Sequence, residues 1–238
     1  MLDQPKQPTP FNMPDLERFV LFRNLPSALL NTWKPRFIRQ QFHKRQPLVF
    51  PSGSPDVIFF VHSGKVKVSY YSEDGKEFTV AILSSGDVYS EHSLALATAV
   101  EDTEVFYLGM REFQRMLDES PELARRLIRV LGQILRVTND LIFDLAFREA
   151  ASRLARVMER AIQSERNFGT LSTYNTSLPS LPSYRVCFTH EDLAAMSGIT
   201  RQTVNEILRR WERQGILTLQ RGEVHILDLK LLCDKIDV

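Results

Sequence analysis

Cysteine is nearly missing from this 238-residue chain: only Cys187 and Cys233 are present, and no CxxC pair occurs. A zinc site built on thiolates and an iron–sulfur cluster held by four cysteines are excluded on that count. The two thiols are expected to be reduced, as in a cytosolic protein. An excess of one charge is missing too. The 30 Lys and Arg against 29 Asp and Glu leave a formal net charge of +1. That excludes a polycation coating nucleic acid by charge alone, and equally an acidic solvating tail. No apolar run reaches the ~18 residues needed to span a bilayer. The opening stretch, MLDQPKQPTPFNMPDLERF, has neither a basic start nor an apolar core of the signal-peptide kind. A cytoplasmic protein without a membrane partner is the expectation. No nucleophile elbow, metal-spaced His/Glu pair or phosphate loop occurs, so an enzyme is not expected.

The chain has ample material for a core: 43% of residues are hydrophobic and 15 are Phe. Residues 1–17 carry Pro5, Pro8, Pro10 and Pro14 and are not expected to fold alone. From about 36 to 110 the texture is β. Val57–Val61 is a bulky run; Val66, Val68 and Tyr70, then Phe78, Val80 and Ile82, alternate with other residues. Gly53, Gly64, Gly75 and Gly86 recur at 11-residue intervals, and Asp74-Gly75 is a strong hairpin dipeptide. Short strands with regular turns predict an antiparallel roll.

After Ser120-Pro121, a helix start with Pro where a missing N–H costs nothing, the period changes. Leu127, Val130, Leu131, Ile134, Val137, Leu141 and Leu145 form a helical stripe. Unbroken from 121 to 145, this helix would be about 37 Å long at ~1.5 Å per residue. Its apolar edge is covered either within one subunit or by a second chain as a coiled coil. A further helix is expected over roughly 147–164, then a Ser/Thr/Pro-rich linker, then a separate unit from 184. The expected fold class is α+β: an N-terminal antiparallel, jelly-roll-like β-roll (1–119), a long dimerisation helix and hinge (120–165), and a C-terminal winged helix-turn-helix (166–238).

The C-terminal signal is specific. Thr189-His-Glu-Asp192 has the form of a capped helix start. Leu193 and Ala194, then Gly198, then Val204 and Ile207 supply what a helix-turn-helix needs: a small residue for close crossing, Gly for a positive φ, and apolar seals. Gly215, Ile216–Gln220, Arg221-Gly222 and Glu223–Leu227 read as a two-stranded wing. The second helix opens Thr200-Arg201-Gln202-Thr203, and its first turn would face the major groove. Arg201 suits guanine O6/N7, Gln202 adenine N6/N7, and Glu206 cytosine N4. Arg209, Arg210 and Arg213 suit phosphates; alternatively they form a solvated face, with Arg209 paired to Glu206.

A β-roll, a long helix and a winged helix-turn-helix in that order resemble the cyclic-AMP receptor/fumarate-nitrate regulator (CRP/FNR) superfamily of transcription factors, over about residues 20–230. The resemblance implies a cytoplasmic homodimer that binds palindromic double-stranded DNA and works with RNA polymerase. Its nucleotide-binding members use a Gly-Glu and a later Arg to cradle a cyclic phosphate. Here Ser90 stands for that glycine before Glu91, the loop is short, and no Arg lies between 66 and 110. A phosphate anion buried there would be uncompensated, so no cyclic nucleotide is expected, and no iron–sulfur cluster.

Within the superfamily the chain is most similar to the CooA group of haem-containing CO sensors, through Lys76–Leu83, Gly86-Asp87, His92 in EHS, Glu101–Val105 and Arg111-Glu-Phe113. That resemblance implies haem b with His92 as an axial iron ligand. It also implies that Leu131, Gly132 and Leu135 line the gas side, and that Thr200–Thr203 belong to the recognition helix. Two departures stand out. Ser90 replaces the cysteine that ligates ferric iron in the group, and the N-terminus is longer than the one whose amine serves there as the displaceable ligand. CO is the expected effector. Nitric oxide acting through haem, and a small organic effector acting without haem, remain alternatives.

Overall fold

Among the described residues the alternating region forms seven strands: β1 (Ile38–Phe42), β2 (Val57–Ser63), β3 (Lys65–Tyr71), β4 (Glu77–Ser84), β5 (Val88–Ser90), β6 (Leu96–Ala99) and β7 (Thr103–Gly109). The computed structural model describes residues 13–50, 57–90, 94–167, 184–220 and 223–236, with side chains except at 13–15 and 164–167. One sheet has the order β1-β7-β2-β5 and a second the order β4-β3-β6. The pairings of β7 with β1 and β2, of β2 with β5, and of β3 with β6 are antiparallel. Because successive side chains point to opposite faces, Phe59, Val61, Val105 and Tyr107 of the first sheet meet Val66, Val68, Leu83, Ala97 and Ala99 of the second in one core. Ile58, Phe60, Phe106 and Leu108 point the other way. The apolar runs in β2 and β7 follow from burial on both faces.

What covers that second face has no local signal in the sequence. Leu16, Phe19 and Phe22 lie on it, together with α1 (Ser27–Trp33), α2 (Met110–Glu119) and the first turns of α3 (Pro121–Phe147). Phe19 meets Phe60 edge-on at 5.2 Å between ring centroids and Phe106 at 6.2 Å, arrangements worth ~0.5–1.5 kcal/mol beyond area. Of the proline-rich start, residues before 13 lie outside the described residues; the segment that follows, from Leu16 to Leu25, is buried on this sheet. Gly64 has φ +83°, and a Cβ there would come within 2.5 Å of Thr103 Oγ1, so glycine is required between β2 and β3.

The long helix runs 27 residues and is followed by α4 (Ala150–Asn167). Then come β8 (Tyr184–Val186), α5 (His190–Ser197), α6 (Arg201–Arg213), β9 (Leu217–Gln220), β10 (Glu223–Ile226) and α7 (Leu229–Cys233). The wing differs from expectation: it is a three-stranded sheet, β8-β10-β9. Val186 registers with Val224 and brings its side chain into the core, an interaction between residues too far apart in sequence for a hairpin signal. The wing turn, Arg221-Gly222, lies outside the described residues.

The chain divides into two compact units, Met1–Ser72 with Thr79–Val137, and Glu73–Phe78 with Thr138–Val238. The boundary falls inside α3. Among the described residues no helix is long and apolar enough to cross a membrane.

Candidate nucleic-acid interface and sensing region

The DNA-reading element is assembled from short-range signals. Thr189 Oγ1 accepts from the Asp192 N–H at 3.1 Å, and the Thr189 N–H donates back to Asp192 Oδ2 at 3.1 Å, closing the expected capping box. Gly198 ends α5 with φ +64°, its N–H donating to the Ala194 carbonyl. A Cβ at Gly198 would also stand 3.2 Å from Leu145 Cδ2. Thr200 then caps α6, accepting from the Thr203 N–H at 3.1 Å. One stripe of α6, Val204, Ile207, Leu208 and Trp211, is buried against Leu193, Ala194, Leu154 and Met158. The opposite face is thereby presented outward.

That outward face carries Arg201, Gln202, Glu206, Arg209, Arg210 and Arg213, all exposed, which makes it locally basic in a nearly neutral chain. Arg201 Nη1 stands 3.8 Å from Glu191 Oε2, an open pair with the two side chains 65% and 76% exposed. Such a pair is worth little in water and leaves Arg201 available to a base. Gln202 Nε2 donates to Glu206 Oε1 at 3.1 Å. Thr200 and Thr203 have a second task that spacing alone does not reveal: their hydroxyls lie 2.8 Å apart and close the cap. Among the described residues no ion pair joins Glu206 to Arg209, so Arg209 is left with its charge outward.

In the β-domain, the turn between β4 and β5 is built by Gly86 with φ +97° and by Asp87, whose carboxylate accepts from the Ser84 N–H at 2.7 Å. Burial pushes the Asp87 carboxyl above its usual range, against that hydrogen bond. Ser90 ends β5. His92, with Glu91 and Ser93, lies outside the described residues. Leu131 and Leu135 sit on α3, 52% and 61% exposed, and a Cβ at Gly132 would meet nothing within 4 Å. The apolar positions Ile128, Leu131, Ile134, Leu135, Val137 and Ile142 are all about half exposed or more. Among the described residues no three His, Cys, Asp or Glu side chains cluster as a metal site.

Two polar clusters are assembled mostly from residues distant in sequence. Glu104 on β7 is buried and accepts from Arg39 and, at 3.0 Å, from Gln41, both on β1. His62 Nε2 on β2 stands 3.5 Å from Glu104 Oε1, so this imidazole faces a buried carboxylate. Near the end of α3, buried Asp144 accepts from Arg148 at 2.9 Å and from Arg160 at 2.8 Å. Only the Asp144/Arg148 spacing carries any local signal.

A two-helix reader with an outward basic face and a wing defines a DNA-binding transcription regulator with an antiparallel β-domain ahead of it. Two family models match accordingly: a Crp-like helix-turn-helix domain over residues 152–235 and a cyclic nucleotide-binding domain over residues 39–120. The chain belongs to the CRP/FNR family of transcription regulators. It is similar to the cyclic AMP receptor protein of Thermus thermophilus, 29% identical over 220 residues, which are 89% of this chain and 94% of that protein. It is similar to the global nitrogen regulator of Synechococcus elongatus, 26% identical over 217 residues, 87% of this chain and 91% of that one. Among solved structures it is similar to a doubly substituted CooA from Carboxydothermus hydrogenoformans, with TM-score 0.72, 28% identity and coverage of 96% of this chain and 97% of that one. The relatives are regulators rather than enzymes, in keeping with the non-enzymatic expectation.

Proposed function

We propose that this protein is a homodimeric transcription regulator whose β-domain carries haem b and answers to a diatomic gas, CO before nitric oxide. The observation that carries this reading is the bare apolar band of α3. Half-exposed Leu131, Ile134, Leu135 and Val137 are more apolar surface than one soluble chain leaves uncovered without cause. A partner helix and a flat apolar macrocycle both fit such a band, and open Gly132 leaves room for close approach. Similarity to CooA across nearly the whole chain supports the same choice.

His92 would supply the imidazole ligand, and Leu131 and Leu135 an apolar wall beside it. When bound, haem supplies an iron that takes up a diatomic gas reversibly. Residues 1–119 would sense, 120–165 couple and 166–238 bind DNA. In the dimer Ile134 and its neighbours bury against the partner's α3. Arg201 and Gln202 of each subunit then address successive major grooves of a palindrome, ~34 Å apart, for joint action with RNA polymerase. The liganded state must favour the DNA-competent arrangement through differential affinity, on the order of 1–3 kcal/mol.

A second reading, cyclic-nucleotide sensing, has its own support in the domain match over 39–120 and in the cyclic AMP receptor of Thermus thermophilus. Against it stands the lack of any Arg between 66 and 110 to meet the phosphate. Absorption spectra of haem-reconstituted protein, ferric, ferrous and under CO, decide the matter. A sharp Soret band that moves under CO, and loss of the six-coordinate ferrous form in His92→Ala, are expected. An unchanged spectrum in that variant removes His92 as ligand. Failure to take up stoichiometric haem turns the sensing role to a cyclic nucleotide or another organic effector.

A further inference from the structure

We propose that Glu206 sets base selectivity indirectly, as a positioning residue that fixes the amide of Gln202, rather than by touching a base itself. The inference rests on the DNA-reading assignment of α6 and is independent of what the β-domain senses. Gln202 and Glu206 stand one helical turn apart on the outward face, and the Gln202 Nε2–H donates to Glu206 Oε1 at 3.1 Å. A glutamine amide free in solvent turns over readily and presents either its donor or its acceptor edge to a base. A carboxylate accepts only, so Glu206 permits one orientation: Nε2 toward Glu206 and Oε1 away from it.

That orientation has a consequence for DNA. Nε2 keeps a second N–H and Oε1 stays free as an acceptor, which together match adenine N7 and N6–H₂. The flipped amide would turn its carbonyl toward the carboxylate, two acceptors facing each other with no proton between them. Glu206 therefore restrains Gln202 to the adenine-reading edge. Neither Arg209 nor Arg210 forms an ion pair with Glu206 among the described residues, so its carboxylate is not drawn away from Gln202. In place of a direct contact from Glu206 to cytosine N4, its role is exerted through its neighbour.

The test is selection of bound DNA by the full-length protein from a pool of duplexes with two randomised half-sites. It is run on haem-loaded reduced protein under CO and, in parallel, on protein with cyclic AMP. Gln202→Ala is expected to lose roughly tenfold in adenine preference at one position of each half-site, the scale of one good base contact. Glu206→Ala should reduce preference at that same position, by about twofold as befits one exposed i,i+4 pair. Glu206→Gln, whose amide donates as well as accepts and so no longer forbids the flipped orientation of Gln202, should reduce it too, by no more than Glu206→Ala does. In the Gln202→Ala background Glu206→Ala should change nothing more there, the mark of a shared pathway. If Glu206→Ala alters a different base position and spares that of Gln202, Glu206 is a direct reader and the proposal fails. If Glu206→Ala alters no position, the pair is a surface contact and the proposal fails equally. If the unsubstituted protein enriches no motif in either arm, the DNA-reading assignment falls and takes the proposal with it.

Discussion

The helices α6 and α3 are both amphipathic, yet they stand in opposite conditions. In α6 the apolar stripe Val204, Ile207, Leu208 and Trp211 is buried by the chain's own α4, α5 and wing. In α3 the stripe is buried only at its start, through Leu123 with Leu127 and Val130 packed beside it, while Ile134 remains 48% exposed. The same periodicity thus serves two ends. One stripe completes a domain; the other is offered outward. A helix whose polar face is outward, as in α6, invites a charged polymer, whereas one whose apolar face is outward asks for another apolar surface.

The contrast can be broken at either helix. Trp211→Ala removes the largest buried side chain of α6 and should destabilise the C-terminal unit by about 3–5 kcal/mol. Urea unfolding followed by circular dichroism should show that loss at every protein concentration, because the burial is internal to one chain. Ile134→Ala should behave otherwise. Each of the two copies is already about half covered in the single chain, so the pair together should cost about 1.5–3 kcal/mol, seen in sedimentation velocity as a roughly ten- to hundredfold weaker dimer. The fold of the isolated chain should be nearly unaffected. A loss independent of concentration would mean that α3 is covered within one subunit.

Smaller changes sharpen the same comparison. Thr200→Ala should remove the α6 cap at a cost of about 1 kcal/mol, read as a lower midpoint for the C-terminal unit with the β-domain unchanged. Acid should act on the β-domain through Glu104. Burial opposes its ionisation, but hydrogen bonds from Arg39 and Gln41 outweigh burial and hold its pKa below the ordinary 4.5. A carboxyl depressed in the folded state contributes stability above about pH 4.5 and loses it as pH falls through the lower folded value. Glu104→Gln should flatten that part of the pH–stability curve in thermal melts recorded across it.

Much of the C-terminal unit is legible in the sequence because its signals are local. The Thr189/Asp192 box, the left-handed Gly198 and the Thr200 cap each involve residues within a few positions of one another. The roll is legible as a class from its strand periodicity and glycine turns. Its outer cover is not, since Leu16, Phe19 and Phe22 acquire meaning only against Phe60 and Phe106. The Glu104 and Asp144 clusters are equally hidden, because Glu104 meets Arg39 only where β7 pairs with β1, and Asp144 meets Arg160 only after the chain turns between α3 and α4. The third strand of the wing is hidden for the same reason, β8 being far in sequence from its partner. Thr200 and Thr203 stand at the start of α6 as their spacing predicts, but their hydroxyls face each other across the cap, a detail that residue type does not disclose.

The most direct measurement is fluorescence anisotropy of a labelled palindromic duplex titrated with haem-loaded, reduced protein before and after CO. The account predicts that CO tightens binding by at least about fivefold, the lower end of an ordinary allosteric coupling, and that His92→Ala abolishes the response. Binding indifferent to CO but tightened by cyclic AMP would contradict it.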